Sequence, residues 1–566
     1  MEERGINITY HSRINRNFAV SYLKRICSPA NTRFLMLKSP AIDKIPRLVS
    51  MLFLAFLVIF LVFQAYNSLH WRLELDTPIL QYSAFLIDRF DLVPYRDFFE
   101  TSMPGTFAFH ALVGTLFGYS DLAFHVVDLV LLLVFLLCAA VFMSRFGWLT
   151  AAWGVVLFAL VYFGKGQTMT LQRDYLGLFP LVFALLLIPT TTDRPVHWWR
   201  FALTGFLFGL ASLVKPHLAI GLPAFWGILY LFHRQSGATK IKPFLQSALL
   251  SAAGFIIPIA AAMLWLAQNA ALRPFLEILF EHIPLYSSLN GAHVSLTPAE
   301  RIHYLLLMSP RLGNYPGFAL CLAYVVFIVF RLKLFQRPQR LTIFFLAVTS
   351  ALYALYPILA GKFWSYHYMP FSFFICLSTG LCFFIASTPT TGNQILIKII
   401  PLLLLITASI VELKIPVSVT TALADARSGY TAHAPKDGRV DELASWLTGN
   451  LAPGDTIQPL DWTGGSVHAM LLSEARLATH FLYDYPFYIH VSSDYTRLLR
   501  QQFIRQLGES RPRFIIEVTT HKPWVSGVDT TREFPELSHI LEENYAVVHS
   551  GDGYQVYQLN ADNTWK

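Results

Sequence analysis

One polar stretch, from Leu73 to His110, lies between apolar runs of the sequence and is rich in acidic side chains. Its charged residues include Asp76, Asp88, Arg89, Asp91, Arg96, Asp97 and Glu100. A carboxylate can orient or deprotonate an attacking hydroxyl group, and a nearby cation can hold a departing phosphate. These residue types predict the acid–base part of a group-transfer site.

Asp76 directly follows the first apolar run, in the motif Glu74-Leu-Asp-Thr-Pro78, and is the first candidate for a catalytic base that orients the acceptor. The alternative is structural, because an Asp placed before a helix that starts at Thr77-Pro78 is a common N-cap. The motif taken alone favours the cap.

Asp97 and Glu100 are the second acidic candidates and neighbours of Asp76 in the proposed site. On a helical turn, their spacing would place both carboxylates on one face. Two such carboxylates could hold an acceptor hydroxyl or a divalent metal, which is the only cofactor that the residues suggest. The alternative is an ion pair between Asp97 and Arg96 or Arg89.

Four cations at the ends of apolar segments are candidate ligands of a donor phosphate, because a charge at the edge of a bilayer needs a partner. They are Lys165, Arg173, Lys215 and Lys362. His367 between Tyr366 and Tyr368 could donate to a phosphate or a sugar hydroxyl, with Tyr366 as a substrate contact. The alternatives are snorkelling to lipid headgroups for the cations and an interfacial aromatic belt for His367.

The composition identifies the class of protein. Of 566 residues, 55% are hydrophobic and 14% are charged, with a mean hydropathy of +0.48. These values indicate a polytopic α-helical membrane protein. The net charge of +8 lies in the N-terminal tail and in short loops, as orientation in a membrane requires, so a nucleic-acid partner is not expected.

Apolar runs near 20 residues long, enough for a ~30 Å hydrocarbon core, predict about eleven transmembrane helices between residues 49 and 412. They lie near 49–67, 121–143, 148–164, 174–190, 200–214, 216–232, 245–267, 313–331, 341–358, 368–387 and 394–412. The apolar segment 106–117 is too short to span and is expected to be re-entrant or interfacial.

Basic residues in the short loops favour one orientation. With a cytoplasmic basic tail at 1–48, the loops at 144–147, 191–200, 233–242 and 331–340 are cytoplasmic and contain the expected Lys and Arg residues. The first external loop (68–120) and the C-terminal region (413–566) then lie on the other side of the membrane. All the candidate site residues fall on that non-cytoplasmic side.

Residues 413–566 contain no further apolar span and predict a separate soluble α/β domain. The patterns indicate helices at 441–448 and 496–507, strands at 513–518 and 545–549, and a hairpin turn at 549–554. The motif Asp461-Trp-Thr-Gly-Gly465 and the aromatic cluster 483–488 could stack on a sugar, or could form the core of the domain. The sequence contains no phosphate-binding glycine loop and no nucleophile elbow, so it does not support ATP-driven or hydrolase chemistry.

The order of several short motifs resembles the C-type (GT-C) membrane glycosyltransferase superfamily, which includes protein O-mannosyltransferases, the lipid A aminoarabinose transferase and the oligosaccharyltransferase catalytic subunit. These motifs are Asp76 after the first span, Pro94-Tyr95, Met103-Pro104-Gly105, 117–122, 144–147, Arg173-Asp174-Tyr175, 213–216, and Lys362 with Tyr366-His367. Thr77 stands where many relatives have a second acid, and Met103 precedes Pro104 where several have a lysine.

The resemblance implies transfer of a hexose or pentose from a polyprenyl-phosphate-linked donor to a cell-envelope glycan, lipid or protein. It places the reaction on the non-cytoplasmic face of the inner membrane, with Asp76 as the base and Asp174 as a second-loop substrate residue. A single base across from a leaving phosphate favours an inverting displacement. The alternative is a transporter or flippase of lipid-linked sugars, which would need the same cationic cleft but no base.

Overall fold

The structure, a computed structural model, describes residues 41–235, 241–312, 331–387, 395–413, 438–520 and 522–560. Most of the predicted basic tail and all but the last residue of the predicted span at 313–331 therefore lie outside the described residues. The same holds for residues 414–437, which follow the last predicted span.

The helices up to residue 413 follow the apolar runs of the sequence. They are α1 (Ala41–Ser68), α2 (Asp76–Phe90), α3 (Pro104–Phe117), α4 (Asp121–Met143), α5 (Trp148–Phe163), α6 (Arg173–Leu176), α7 (Leu178–Leu186), α8 (Trp198–Ser212), α9 (Leu222–Gln235), α10 (Ile241–Gln268), α11 (Leu272–Glu277), α12 (Ile283–Ser288), α13 (Pro298–Met308), α14 (Arg337–Ala354), α15 (Tyr356–Ala360), α16 (Met369–Ser387) and α17 (Ile395–Leu413). The run predicted at 174–190 is divided into α6 and α7, so that Arg173 begins a short helix of its own.

Five helical segments are long and apolar enough to cross a membrane, counted over the described residues only. They are Arg47–Ser68, Asp121–Phe146, Ile241–Gln268, Arg337–Ala360 and Ser365–Ser387. The helix α3 has 14 residues, and its short length agrees with the expectation that it does not span. The chain is thus a helical membrane protein, while the count of eleven spans and the orientation stay predictions.

Helices α8 and α10 approach each other closely because glycines line their contact. A Cβ atom on Gly205 would lie 1.8 Å from the carbonyl oxygen of Ser251, and one on Gly254 would lie 2.0 Å from that of Ala202. Small residues allow such backbone contact between membrane helices. The pair holds the end of α8, from which the chain continues to Lys215.

The C-terminal region contains a five-stranded mixed sheet with helices. Its elements are α18 (Arg439–Asn450), β2 (Thr456–Leu460), α19 (Ser466–Leu472), β3 (Arg476–Leu477), α20 (Asp494–Ser510), β4 (Phe514–Val518), α21 (Pro535–Asn544), β6 (Tyr545–Gly551) and β7 (Tyr554–Leu559). The strand order is β3-β2-β4-β7-β6, with β2 parallel to β3 and β4, and with β7 antiparallel to β4 and β6. The helices and strands predicted here match α18, α20, β4 and β6.

Several contacts join the C-terminal region to loops between the helices of the preceding part of the chain. Strand β1 (Val294–Ser295) pairs in parallel with β5 (Ser526–Gly527). The backbone N–H of Phe99, in the first loop, donates to the carbonyl of His480 over 2.6 Å. Residues of the first loop, of α11 and of the C-terminal sheet belong to one hydrophobic core. The core therefore continues across the predicted domain boundary at 413.

Charged side chains reinforce this contact between the two parts of the chain. Arg72, which follows α1, donates to Asp121 at the start of α4 over 3.1 Å and also to Asp441 of α18. His468 of α19 lies 2.8 Å from the other oxygen of Asp121. The C-terminal region is therefore fixed over the C-terminal end of α1 and the N-terminal end of α4.

Arg439 is a buried cation that ties the C-terminal sheet to the loop after β2. It is 2% exposed and donates to the carbonyls of Asp552, Gly464 and Thr520. We expect Arg439→Met to cost about 3 kcal/mol, because three carbonyls, among them that of the buried Gly464, lose a charged donor. The measurement is the thermal midpoint of the purified full-length protein. Arg497→Met, at a mostly exposed side chain, is the control, and equal midpoints for the two variants would contradict the assignment.

Candidate functional site

A cavity of about 370 Å³ lies where the first loop, the start of α6, the loop before α16 and the C-terminal region meet. Six of the candidates from the sequence line it: Asp76, Glu100, Arg173, Lys215, Lys362 and His367. These residues are separated by up to about 290 positions in the chain, yet the fold brings them together. A volume of this size is within the ~300–1,000 Å³ range of small-molecule sites.

Asp76 and Arg173 form an ion pair at the wall of the cavity. The Arg173 Nη2 lies 2.5 Å from Asp76 Oδ2, and Nη1 donates to Ser102 Oγ over 2.8 Å. Helix α2 begins at Asp76, with Leu75 at the N-cap position and no side-chain cap. The capping interpretation is therefore wrong, and the Asp76 carboxylate is directed to Arg173. Burial lowers the pKa of Arg173, but Asp76 and Glu100 outweigh it and raise the pKa above its ordinary value.

Glu100 lies inside the cavity wall, whereas Asp97 points away from it. Glu100 Oε1 accepts hydrogen bonds from the backbone N–H of Thr101 (2.7 Å) and from the N–H and hydroxyl of Ser102 (both 2.9 Å). Burial raises the pKa of the Glu100 carboxyl, against the opposing charge of Arg173 and the hydrogen bonds from Ser102. Glu100 is thus held in the wall by three hydrogen bonds.

The expectation that Asp97 and Glu100 share the face of a helical turn is wrong. The segment from Pro94 to Phe99 is a turn closed by an isolated bridge. Asp97 accepts from both Arg96 Nε and Nη2, at 2.8 and 2.7 Å, and from the backbone of Val93. The ion pair considered as the alternative is the one that forms, and Asp97 does not line the cavity.

A second ion pair joins Lys215 of the cavity lining to Asp174, which does not line the cavity. Asp174 is fully buried, with Lys215 Nζ 3.4 Å from its Oδ2, while the Tyr356 hydroxyl donates to its Oδ1. The ring of His367 lies 6.2 Å from that of Tyr356, and Tyr366 meets His367 edge-on at 4.9 Å. His367 Nδ1 is buried and has no hydrogen-bond partner among the described residues. An acceptor or donor group of a ligand would satisfy it.

Lys362 lines the cavity from the loop between α15 and α16. Its Nζ donates to the carbonyls of Tyr286 and Leu289, over 2.8 and 2.6 Å, and lies 4.1 Å from the centre of the Tyr286 ring. Burial, with the charge of Arg301, lowers the pKa of the Lys362 ammonium to about 6. A neutral amine has two N–H groups, which these two carbonyls satisfy. The third N–H, present only when the amine is protonated, is left for a ligand.

The aromatic side of the cavity comes from other parts of the chain. Trp462, Tyr483 and Tyr485 belong to the C-terminal region, and Tyr286 belongs to α12. Sequence patterns indicated aromatic clusters around Trp462 and Tyr485 but not their place at the cavity. Ser102 and Tyr286 were missed altogether, since neither belongs to a motif and only the tertiary contacts identify them.

The candidate Lys165 lies elsewhere, as does the buried Asp128 of α4. Lys165 follows α5 and is not among the residues that line the cavity. Asp128, inside α4, accepts from the Tyr162 hydroxyl over 2.6 Å and from the Leu171 N–H over 3.0 Å, so it joins α4 to α5 and to the loop before α6. In the part of the chain that the structure describes, no three His, Cys, Asp or Glu side chains are grouped as metal ligands.

Comparison with known proteins identifies the fold. No family model matches the chain, and no curated protein matches its sequence. The solved structure of ArnT from Cupriavidus metallidurans bound to undecaprenyl phosphate is similar, with a TM-score of 0.54 over 90% of this chain and 98% of that one, at 11% identity. The apo structure of the same protein gives 0.52 over 91% and 99%, at 12% identity. The predicted C-type fold is confirmed by this likeness.

The protonation of Lys362 predicts how the binding of an anion depends on pH. A phosphate binds the charged ammonium better, so it raises the Lys362 pKa above the value of about 6 in the free protein. Between those two pKa values, each unit of rising pH then weakens binding by up to about tenfold. Phosphate ionisation acts in the opposite direction, so the quantity to follow is the ratio of affinities of wild type and Lys362→Met for undecaprenyl phosphate from pH 5.5 to 8.5.

We expect that ratio to fall as the pH rises. Lys333→Met, at an exposed position, is the control and should give a ratio near one at every pH. A ratio for Lys362→Met that is independent of pH would show that Lys362 does not gain a proton on binding.

Proposed function

We propose that the protein is a glycosyltransferase that moves a sugar from a polyprenyl-phosphate-linked donor to a cell-envelope glycan, lipid or protein. The observation that carries the proposal is a cavity in which a carboxylate, Asp76, is paired with Arg173 and shares the lining with a second cation, Lys215. A lipid phosphate is the anion named for the similar ArnT structure. The combination of an acid and anion-binding groups is what the transfer requires.

In the proposed reaction, the acceptor oxygen attacks the anomeric carbon of the donor while its proton passes to the Asp76 carboxylate. The bond between the anomeric carbon and the phosphate oxygen breaks, and polyprenyl phosphate leaves with that electron pair. Arg173 and Lys215 stabilise the charge that develops on the phosphate. Because one base acts and no covalent intermediate is formed, the configuration at the anomeric carbon is inverted.

The Asp76–Arg173 ion pair suits this scheme, because both side chains line the cavity and each occupies the other until a substrate binds. A donor phosphate that binds Arg173 competes with Asp76 for the guanidinium. The carboxylate is then released from one partner and can accept from the incoming hydroxyl. Glu100 lies on the same wall, and burial raises the pKa of its carboxyl.

An apolar side of the same cavity suits the lipid chain. Leu279, Ile283 and Leu359 line it, and Leu359 is 56% exposed on the outer surface beside Leu355. An isoprenoid chain could therefore leave the cavity between the segment that carries Ile283 and α15. We place this opening in the inner membrane, with the site on the non-cytoplasmic side that the loop charges favour.

The variant Asp76→Asn tests the base. We expect it to lower kcat by at least about a hundredfold, since removal of a general base typically costs 10²–10⁴, while undecaprenyl phosphate binds at least as tightly as to the wild type, because it no longer competes with a carboxylate for Arg173. The assay is sugar transfer from synthetic polyprenyl-phosphate sugars by the purified protein, with binding measured in parallel. Asp88→Asn, at the other end of α2 and paired with Thr115 and Arg89, is the matched control.

The wild-type protein could bind the lipids, transfer no sugar, and move the lipids between the leaflets of a vesicle. That result would reject the glycosyltransferase proposal and favour a flippase. Full activity in Asp76→Asn would still support a transferase but would show that Asp76 is not its base.

A further inference from the structure

We propose that the C-terminal region supplies the sugar-binding wall of the cavity, with Trp462 and Tyr485 in contact with the sugar ring and Asp461 as the residue that positions Trp462. The inference rests on the proposed function and adds the part of the site that recognises the transferred group. It concerns residues that no step of the proposed chemistry uses.

The aromatic wall is built from rings that support one another. The rings of Trp462 and Tyr485 stack with centres 4.2 Å apart, and Tyr483 stacks on Tyr485 at 5.1 Å. Tyr286 lies 5.5 Å from Tyr485 on another side. Trp462 is 8% exposed, and it lines the cavity together with Tyr483 and Tyr485. An aromatic surface with polar edges matches a sugar ring, which has an apolar C–H face and hydroxyl groups around it.

The wall differs in chemistry from the apolar opening assigned to the lipid. The opening is lined by aliphatic side chains from α15 and from the segment 279–283, whereas the wall consists of Trp and Tyr rings with hydrogen-bonding groups. The Tyr485 hydroxyl, for example, lies 2.9 Å from His282 Nε2. An isoprenoid chain has no group that could use such partners. The two surfaces therefore divide the cavity between the lipid chain and the sugar.

The position of Trp462 depends on a buried carboxylate. Asp461 is 0% exposed and accepts four hydrogen bonds within its own loop: from the backbone N–H groups of Trp462 (2.6 Å), Gly464 (2.8 Å) and Ser466 (3.0 Å), and from the Ser466 hydroxyl (2.8 Å). The loop folds tightly around the carboxylate, since a Cβ on Gly464 would lie 2.2 Å from Asp461 Oδ1. Asp461 thus holds the Trp462 backbone in a defined place.

A backbone hydrogen bond and a buried ion pair hold the Asp461 loop next to the segment that carries Tyr485. The Asp484 N–H donates to the Asp461 carbonyl over 3.1 Å. Lys522 Nζ lies 2.8 Å from Asp484 Oδ2, with both side chains 3% exposed. The neighbours of Trp462 and Tyr485 in the chain are therefore bonded to each other. This gives the two rings a fixed separation, as a preformed binding surface requires.

The test compares the binding of undecaprenyl phosphate with that of undecaprenyl phosphate carrying glucose, mannose or arabinose. For each sugar, the ratio of the two dissociation constants measures what the sugar adds to the affinity. In the wild type, we expect at least one sugar to increase the affinity. Trp462→Ala should reduce that gain about five- to tenfold, the size of one aromatic contact, and should change the affinity for sugar-free lipid less than twofold. Trp462→Phe should retain most of the gain.

Asp461→Asn should reproduce part of the Trp462→Ala loss, as a higher KM for the donor with kcat little changed. Because Asp461 acts through Trp462, the double variant Asp461→Asn/Trp462→Ala should be no worse than Trp462→Ala alone. Trp148→Ala, at a 66% exposed position at the start of α5, is the control and should leave every ratio unchanged.

Three results would overturn the inference: a wild type in which no sugar adds affinity, a Trp462→Ala variant that keeps the full gain, or one that loses affinity equally for sugar-free lipid. The last result would mean that the aromatic wall binds the lipid part of the donor or only stabilises the fold. These binding results are separate from the transfer assay, so a wild type that transfers sugar while Trp462→Ala keeps the gain would reject only this inference.

Discussion

The ion pair between Asp76 and Arg173 is the contact on which the rest of the site depends. It joins the beginning of α2 to the beginning of α6, and Arg173 also binds Ser102, which lies just before α3. Thr77 strengthens the same junction, since its hydroxyl donates to the Thr170 carbonyl over 3.0 Å. A buried guanidinium without such partners would carry a large desolvation cost. The geometry of the cavity wall is therefore fixed by the need to pair this charge.

The other charges of the site obey the same constraint. Lys215 is paired with the buried Asp174, and Lys362 is bonded to two carbonyls while its pKa is lowered to about 6. Glu100 is held by hydrogen bonds, and its pKa is raised by burial. In the free protein, charge in the cavity is thus either paired or suppressed. Entry of an anion would have to redistribute these pairs, and this links binding, protonation and the release of Asp76 in one step.

The C-terminal region is a structural part of the site rather than an appendage. Phe99 bonds to His480, Arg72 joins Asp121 to Asp441, and the core of the C-terminal sheet continues into the first loop. The wall that contains Trp462 is held by hydrogen bonds inside this region. The C-terminal region therefore closes one side of the cavity, and hydrogen bonds hold its loops in place.

The sequence by itself determined the class of protein, most of the helices and the charged residues that line the cavity. Hydropathy and local periodicity depend on neighbouring residues only, so they predicted α1, α4, α10 and the strands near 514 and 545. The sequence also pointed to Asp76, Arg173, Lys215 and Lys362, because charges at the ends of apolar runs are costly. Tertiary structure alone decided which of them meet. In the folded chain, Asp97 is paired with Arg96 and Lys165 lies outside the cavity, whereas Tyr286 and Trp462 line it. The reason is physical: pairing of a buried charge and stacking of an aromatic ring depend on partners far away in the chain, and no local pattern encodes that distance.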